Sequence, residues 1–209
     1  MNVNIEFLIK EFNVSRETIE KLNIYEDFLL LSNKNLNLIG KTTENQIYFR
    51  HFIDSAQIYK IIDKKLDVVD LGSGAGFPGL IIKILMNNSN IEGNVTLIEK
   101  SARKSKFLSD LSKKLNLVLK IENKKLEEYN FINNSSVVSR AFKSTLDTLD
   151  LLFKNINKIK EIILLKGKTY QQELDEVKKK YTFNVEKFKS ITSDESFILK
   201  ITDLKNHTT

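Results

Sequence analysis

The segment Val68-Val69-Asp70-Leu71 is an apolar run broken only by its acid. Gly72, Gly74 and Gly76 follow at alternate positions, and Pro78 and Gly79 open a helical pattern. Glycine tolerates positive φ and lets a ligand approach the backbone closely, and proline costs nothing in a helix's first turn, where the N–H has no partner. The segment therefore predicts a strand, a tight glycine turn and a helix start, a nucleotide-type cradle at the carboxyl end of a strand. Around it, short apolar runs at 66–71, 95–98, 117–121, 137–138, 159–165, 183–188 and 196–201 alternate with helical stretches at 79–86, 102–115, 145–153 and 171–180. Near-continuous apolar strands alternating with helices argue for a parallel sheet covered on both faces. The last two strand patterns, roughly 182–190 and 195–202, follow one another directly and predict a terminal antiparallel hairpin.

Residues 1–63 have a different pattern. Leu22, Tyr25, Phe28, Leu29 and Ser32 recur at helical spacing, as do Ile47, Arg50, His51, Asp54, Ser55 and Ile58. A shorter helix is predicted over 3–13, with Ser15 capping the next. Two parts are expected: a helical extension over 1–63 packed on a core over 64–209. The expected fold is α/β, a Rossmann-like doubly wound sheet of seven strands with a terminal antiparallel hairpin, as in the class I methyltransferase variant.

Gly74-Ala75-Gly76-Phe77-Pro78-Gly79 also satisfies the dinucleotide pattern G-x-G-x-x-G. The strand register argues against that reading. The two alternate positions before Gly74 are Asp70 and Gly72, and neither is apolar. A dinucleotide also sets an anionic pyrophosphate against the helix N-terminus, where an uncompensated acid at position 70 would repel it. S-adenosylmethionine has no phosphate and carries a sulfonium and an amino group, so Asp70 suits it. The second strand ends in Glu99, 23 residues after Gly76 (99 − 76), and a carboxylate there can accept both ribose hydroxyls.

Composition narrows the chemistry further. The 209 residues contain no cysteine and two histidines, His51 and His207, which removes disulfides, thiolate metal sites and a cysteine nucleophile; no metal is expected. No run of 18 apolar residues and no leader pattern is present, so no membrane association and a cytoplasmic location are expected. The net charge of +6 is compatible with a nucleic acid partner. Lys100, Arg103, Lys104, Lys106, Lys143, Lys166 and Lys168 fall near the predicted carboxyl edge of the sheet and are candidates for phosphate contact.

Five segments, Asn37-Leu38, Arg50-His51-Phe52-Ile53-Asp54-Ser55, the loop from Asp70 to Gly79, Ser139-Arg140-Ala141-Phe142 and Leu165-Lys166-Gly167, together resemble one bacterial family. It is the small-subunit ribosomal RNA guanine-N7 methyltransferases, the RsmG or glucose-inhibited division protein B family. The resemblance covers essentially the whole chain, and its most specific parts are Gly-Phe-Pro-Gly and Arg-His-x-x-Asp-Ser. It implies cofactor contact at Gly72, Phe77, Glu99, Leu126, Glu127 and Arg140. With the loop reading, the candidate cofactor residues are Asp70, Gly72, Ser73, Gly74, Gly76, Phe77, Glu99, Leu126, Glu127 and Arg140. Arg50, His51, Asp54, Arg140 and Lys166 are candidates for substrate positioning. The implied partner is 16S ribosomal RNA or the small ribosomal subunit, and a monomer is expected.

Serine, histidine and aspartate close together also suggest a hydrolase. On one helix, however, His51 and Ser55 would be neighbours on adjacent turns, without the strained elbow and separate oxyanion donors that hydrolases need. Guanine N7 carries a lone pair and no proton, so its methylation needs orientation and exclusion of water rather than a general base. Adenine-N6 chemistry goes with an Asn/Asp-Pro-Pro-aromatic turn after the fourth strand; here Ser139-Arg140-Ala141-Phe142 has no proline. Phe77 and Phe142 are candidate stacking surfaces. The alternatives are a same-fold methyltransferase acting on a small molecule or protein, a non-catalytic cofactor-binding RNA chaperone, and a nicotinamide dehydrogenase.

Overall fold

A computed structural model gives the structure of residues 3–207; residues 1–2 and 208–209 of the expected extension and core lie outside the described residues. The chain opens with α1 (Val3–Phe12) and α2 (Arg16–Leu36). Ser15 caps α2 as its sequence position predicts, its side chain accepting the Thr18 N–H. Asn37 ends the helix in the left-handed conformation.

A 3₁₀ turn (Lys41–Gln46) and a π-helical turn (Tyr48–Ile53) then lead into α3 (Asp54–Tyr59). The π turn corrects the expectation of one regular helix through Arg50, His51, Asp54 and Ser55. His51 does not bond Ser55, and the Ser55 hydroxyl is buried without a partner. The hydrolase geometry is absent.

The core follows as β1 (Asp67–Leu71), α4 (Gly79–Asn88), β2 (Val95–Ile98), α5 (Ala102–Lys114), β3 (Lys120–Glu122), β4 (Ser135–Arg140), α6 (Thr145–Phe153), β5 (Ile159–Lys166), α7 (Tyr170–Lys178), β6 (Tyr181–Lys189) and β7 (Phe197–Asn206). One seven-stranded sheet has the order β3-β2-β1-β4-β5-β7-β6. The first five strands run parallel, and β7 inserts antiparallel between β5 and β6. This is the expected doubly wound sheet with its terminal hairpin. Residues alternate across it: Val68 joins a core with α1, α2, α4 and α5, whereas Val69 and Leu71 join a second core with α6 and α7. Both faces are covered, which is why β1 reads as a continuous apolar run.

Strand β7 runs on to Asn206, past its expected end near 202, and two other strands differ more from the sequence expectation. The run at 117–121 yields only β3, because Leu115, Asn116 and Leu117 close α5 instead. Asn116 is left-handed, and the Leu117 N–H reaches back to the Ser112 carbonyl at 2.9 Å, the pairing of a Schellman ending. Conversely, β4 is longer than the expected 137–138. Its flanks are serines, and each spends its hydroxyl internally: Ser135 on the Ile132 carbonyl, Ser136 on Glu161, Ser139 on the Leu71 carbonyl. Those bonds let polar residues occupy a fully buried strand.

The end of the helical segment is tied to the sheet at Glu161. This buried carboxylate accepts the Asp63 N–H and pairs with Lys200 at 2.9 Å, and Lys200 also donates to the Ile61 carbonyl. Strands β1 and β4 are neighbours from which the chain departs in opposite directions. Their carboxyl ends therefore frame the crevice where ligands bind in open α/β sheets.

Candidate active site

Strand β1 ends in Asp70 and Leu71, and the loop behind them turns on three positive-φ glycines, Gly72 (64°), Gly74 (56°) and Gly76 (101°). Asp70 is fully buried. One carboxylate oxygen accepts the Gly79 N–H at 3.0 Å, the first amide of α4, and the other has no partner. Burial pushes its carboxyl up to about 7, against the opposing bonds from Gly79 and Ser73. The helix N-terminus that a pyrophosphate would need is thus held by the protein's own acid, which removes the dinucleotide reading on geometry as well as register.

The loop is fastened on every side. The Ser73 N–H donates to the Ile98 carbonyl and its hydroxyl to the Asp70 carbonyl. The Gly74 N–H donates to Glu99 at 3.0 Å. Tyr25, fully buried on α2, donates its hydroxyl to the Ala75 carbonyl at 2.6 Å. Gly76 has no room for a side chain, since an added Cβ would stand 2.3 Å from Leu80 and 2.7 Å from the Tyr25 hydroxyl.

A cavity of about 520 Å³ opens beside this loop. Gly72, Ile98 and Glu99 line it from β1 and β2, Leu126 and Glu127 from the turn after β3, and Ala141 and Phe142 from the turn after β4. Glu99 is buried at 7% exposure; its other oxygen accepts the Ser101 N–H, and Asn123 holds its carbonyl. Leu126, also 7% exposed, presents an apolar wall. Phe142 lies across Gly72, where an added Cβ would come within 2.6 Å of its ring.

The residues fit S-adenosylmethionine: a tight glycine turn at the cavity wall, a buried carboxylate where ribose hydroxyls need acceptors, an apolar ledge for adenine, and an unpartnered carboxylate oxygen behind the loop. Of the expected cofactor residues, Gly72, Glu99, Leu126 and Glu127 share this cavity. Asp70, Ser73, Gly74, Gly76 and Phe77 shape the loop, and Arg140 lies at its far side.

Phe77 does not serve as a stacking surface. It is 3% exposed and stacks with Tyr25 at 5.4 Å and with His51 at 5.1 Å, and the Arg140 guanidinium lies over its ring. Arg140, 18% exposed in its side chain, bonds the Arg50 carbonyl, Asp54 at 3.3 Å and His51 Nδ1 at 2.9 Å. A guanidinium only donates, so Nδ1 accepts and the His51 proton sits on Nε2, facing the Thr43 hydroxyl at 2.9 Å. Burial, then the charges of Arg140 and Arg50, hold His51 down to about 3, and the ring is neutral. The widened π turn presents the Arg50 carbonyl to Arg140, in keeping with the frequent placement of such turns at functional sites.

Lys166 donates to the Lys143 carbonyl and pairs with Glu173 at 2.9 Å, so its charge braces the turn after β4. Among the lysine candidates, Lys100, Lys104 and Lys143 ring the cavity, joined by Lys124 and Lys125, which sequence reasoning missed. Arg103 instead donates to the Asn35 carbonyl, and Lys106 pairs with Asp110. Tyr25 and Thr43 were also missed. Their partners lie 50 and 8 residues away, and nothing local marks them.

Among the described residues no group of three potential metal ligands exists, and no helix is long and apolar enough to cross a membrane.

The family profile described as GidB, rRNA small subunit methyltransferase G, matches residues 18–199. The chain is 37% identical over 201 residues to the ribosomal RNA small subunit methyltransferase G of Pelagibacter ubique (strain HTCC1062), spanning 95% of this chain and 94% of that protein. It is 40% identical over 193 residues to the protein of the same name from Rickettsia bellii (strain OSU 85-389), spanning 92% and 97%. Among solved structures, the fold is similar to a putative class I S-adenosylmethionine-dependent methyltransferase from Listeria monocytogenes. The TM-score is 0.60 and the identity 9%, over 88% of this chain and 68% of that one. A magnesium protoporphyrin IX methyltransferase from Synechocystis PCC 6803 with bound cofactor is similar at TM-score 0.55 and 10% identity, over 78% and 85%.

Proposed function

The chain belongs to the rRNA small subunit methyltransferase G family, and from that membership we propose that it methylates N7 of a guanine in small-subunit (16S) ribosomal RNA. The observation that carries the reading at the site is the Asp70 carboxylate. It closes the helix N-terminus to phosphate and sets negative charge behind the glycine turn. The cofactor is S-adenosylmethionine, which when bound supplies an electrophilic methyl group on a sulfonium.

The residues then divide the work. Glu99 accepts the ribose hydroxyls, Leu126 packs on adenine, and the Leu126-Glu127 backbone meets its amino group. Gly74 leaves the backbone bare for close approach, and Gly72 leaves room for the Phe142 ring. Asp70 acts electrostatically from behind the loop, while Ser73, Gly76 and Phe77 hold the loop's shape. Arg140 reaches the cofactor or the acceptor base, and His51, Asp54 and the Arg50 carbonyl aim it. Lys166 fixes the turn that carries Lys143. No side chain is assigned as a general base, because guanine N7 has no proton to lose. What the protein supplies is alignment and a water-poor site.

Residues 1–63 act as a helical extension whose Tyr25, Arg50, His51 and Asp54 brace the cofactor-binding core of 64–209. Lys100, Lys104, Lys125 and Lys143 meet RNA phosphates around the mouth of the cleft. The enzyme works as a monomer, a reading supported by the sequence separation of Val3, Leu31, Val118 and Ile132 among its exposed large apolar residues.

The test incubates the protein with radiolabelled S-adenosylmethionine and small-subunit particles or naked rRNA, then maps label by strand cleavage at 7-methylguanine. Label at one guanine is expected. Label in protein or small molecules, or no label, refutes the RNA reading.

A further inference from the structure

A second cavity, about 490 Å³, lies beside the cofactor cleft, and the two share Ala141, Phe142 and Lys143. We propose that this cavity receives the acceptor guanine nucleotide once it has left its RNA stack, with the ring of Phe197 as the face on which the base lies. The inference rests on the RNA-methyltransferase reading above and adds where, and on what, the base is held.

Methyl transfer needs the acceptor atom about 3–3.5 Å from the carbon it attacks and in line with the breaking bond. An acceptor must therefore occupy space that borders the cofactor. This cavity does so through the turn after β4, whereas the cavities along 156–162 and 83–94 share no residue with the cofactor cleft. Ala141, at the junction, has φ 54°. A left-handed alanine is a strained conformation of the kind retained at functional sites.

Size and lining agree. The volume falls within the range of about 300–1,000 Å³ usual for small ligands. The floor is apolar, from Leu165 on β5 and Phe197 and Ile198 on β7. Phe197 is half-buried, and its ring is braced by Tyr170 at 4.3 Å. Arg50 and Lys143 stand exposed at the rim, take part in no ion pair among the described residues, and suit the flanking phosphates.

The outer wall is pinned to α3 by three hydrogen bonds. Gln57 on α3 donates to the Ser190 hydroxyl in the turn between β6 and β7 and accepts the Ile191 N–H, while Thr192 in the same turn donates to Asp54. A site held on such a wall keeps the orientation that N7 alkylation requires. The half-buried aromatic ring aimed into this cavity suits a flipped-out base, which enzymes of this kind hold by stacking.

The experiment compares Phe197→Ala, Phe197→Leu and Phe197→Tyr with wild type. It measures kcat/KM for small-subunit particles at saturating S-adenosylmethionine, and the Kd of S-adenosylhomocysteine by calorimetry. Loss of one base–aromatic stack predicts a fall in kcat/KM of about ten- to a hundredfold for both the alanine and leucine variants. Tyrosine restores activity to near wild type, and the Kd of S-adenosylhomocysteine stays the same in all three. Leucine keeps the apolar bulk, so leucine behaving like wild type overturns the stacking role. A weakened S-adenosylhomocysteine affinity in place of the kcat/KM loss overturns the separation of the two cavities. Absence of guanine methylation by the wild type itself would instead remove the parent reading, and this inference with it.

Discussion

Replacing Asp70 by asparagine separates the acid's two duties. The amide oxygen can still accept the Gly79 N–H now held at 3.0 Å, so α4 keeps its first bond. The buried charge is what disappears. The Asp70 carboxyl titrates at about 7 in the folded chain, against 3.8 for an ordinary aspartate. A raised folded pKa contributes stability that is fully present below the unfolded value and is lost as pH rises through the folded one. The window here runs from about pH 4 to about pH 7. A carboxyl raised from 3.8 to about 7 corresponds to about 4 kcal/mol at 1.36 kcal/mol per tenfold change in proton affinity. Urea unfolding of the cofactor-free protein should therefore show D70N and wild type within about 1–2 kcal/mol at pH 4, where both groups are neutral. At pH 8.5 the variant should be more stable by about 4 kcal/mol. Function should move the other way. S-adenosylmethionine carries a positive sulfur and S-adenosylhomocysteine does not, so D70N should narrow the ratio of their affinities. A stability difference that does not change with pH, or an unchanged affinity ratio, would refute the electrostatic role of Asp70.

Three further outcomes are expected. Gly72→Ala puts a side chain at φ 64° and 2.6 Å from the Phe142 ring; calorimetry should show S-adenosylhomocysteine binding weakened at least about tenfold, with about 1–2 kcal/mol lost to the backbone conformation. Tyr25→Phe strands the buried Ala75 carbonyl; denaturant unfolding should record a loss of about 1–3 kcal/mol, together with weaker cofactor binding as the loop loosens. His51, held down to about 3 mainly by burial, contributes stability that is present above its unfolded value of 6.5 and is lost as pH falls toward 3. Between pH 7.5 and 4.5 the loss is about 2–3 kcal/mol, and Asp70 offsets it in the wild type because its own contribution grows over the same range. D70N should expose that acid-side loss, and adding His51→Gln should abolish it.

Much of the fold was legible because its signals are local. A strand buried on both faces must be apolar along its length, a glycine turn must leave room for positive φ, and Ser15 must precede a helix to cap it. Hence β1, the glycine loop, α4, Glu99 at the end of β2 and the closing hairpin were all readable from residue order. The register of Asp70 alone separated a sulfonium cofactor from a dinucleotide, because burying a carboxylate beside phosphate is prohibitively unfavourable. The chain could not announce contacts whose partners are far apart in sequence. Tyr25 on the Ala75 carbonyl, Thr192 on Asp54 and Arg140 on His51 lie 50, 138 and 89 residues apart. The same limit hid β4, whose serines look polar until their buried partners are known, and the π turn at Arg50, which helical spacing cannot distinguish from an α turn. It also reversed the expectation for Phe77. The sequence shows an aromatic beside the cofactor loop, but tertiary packing buried its ring against the N-terminal helices and left Phe142 and Phe197 facing open space. Sequence by itself determined which cofactor chemistry the loop could tolerate; the tertiary structure decided which side chains reach the cleft, because burial and hydrogen-bond partners exist only once distant segments pack together.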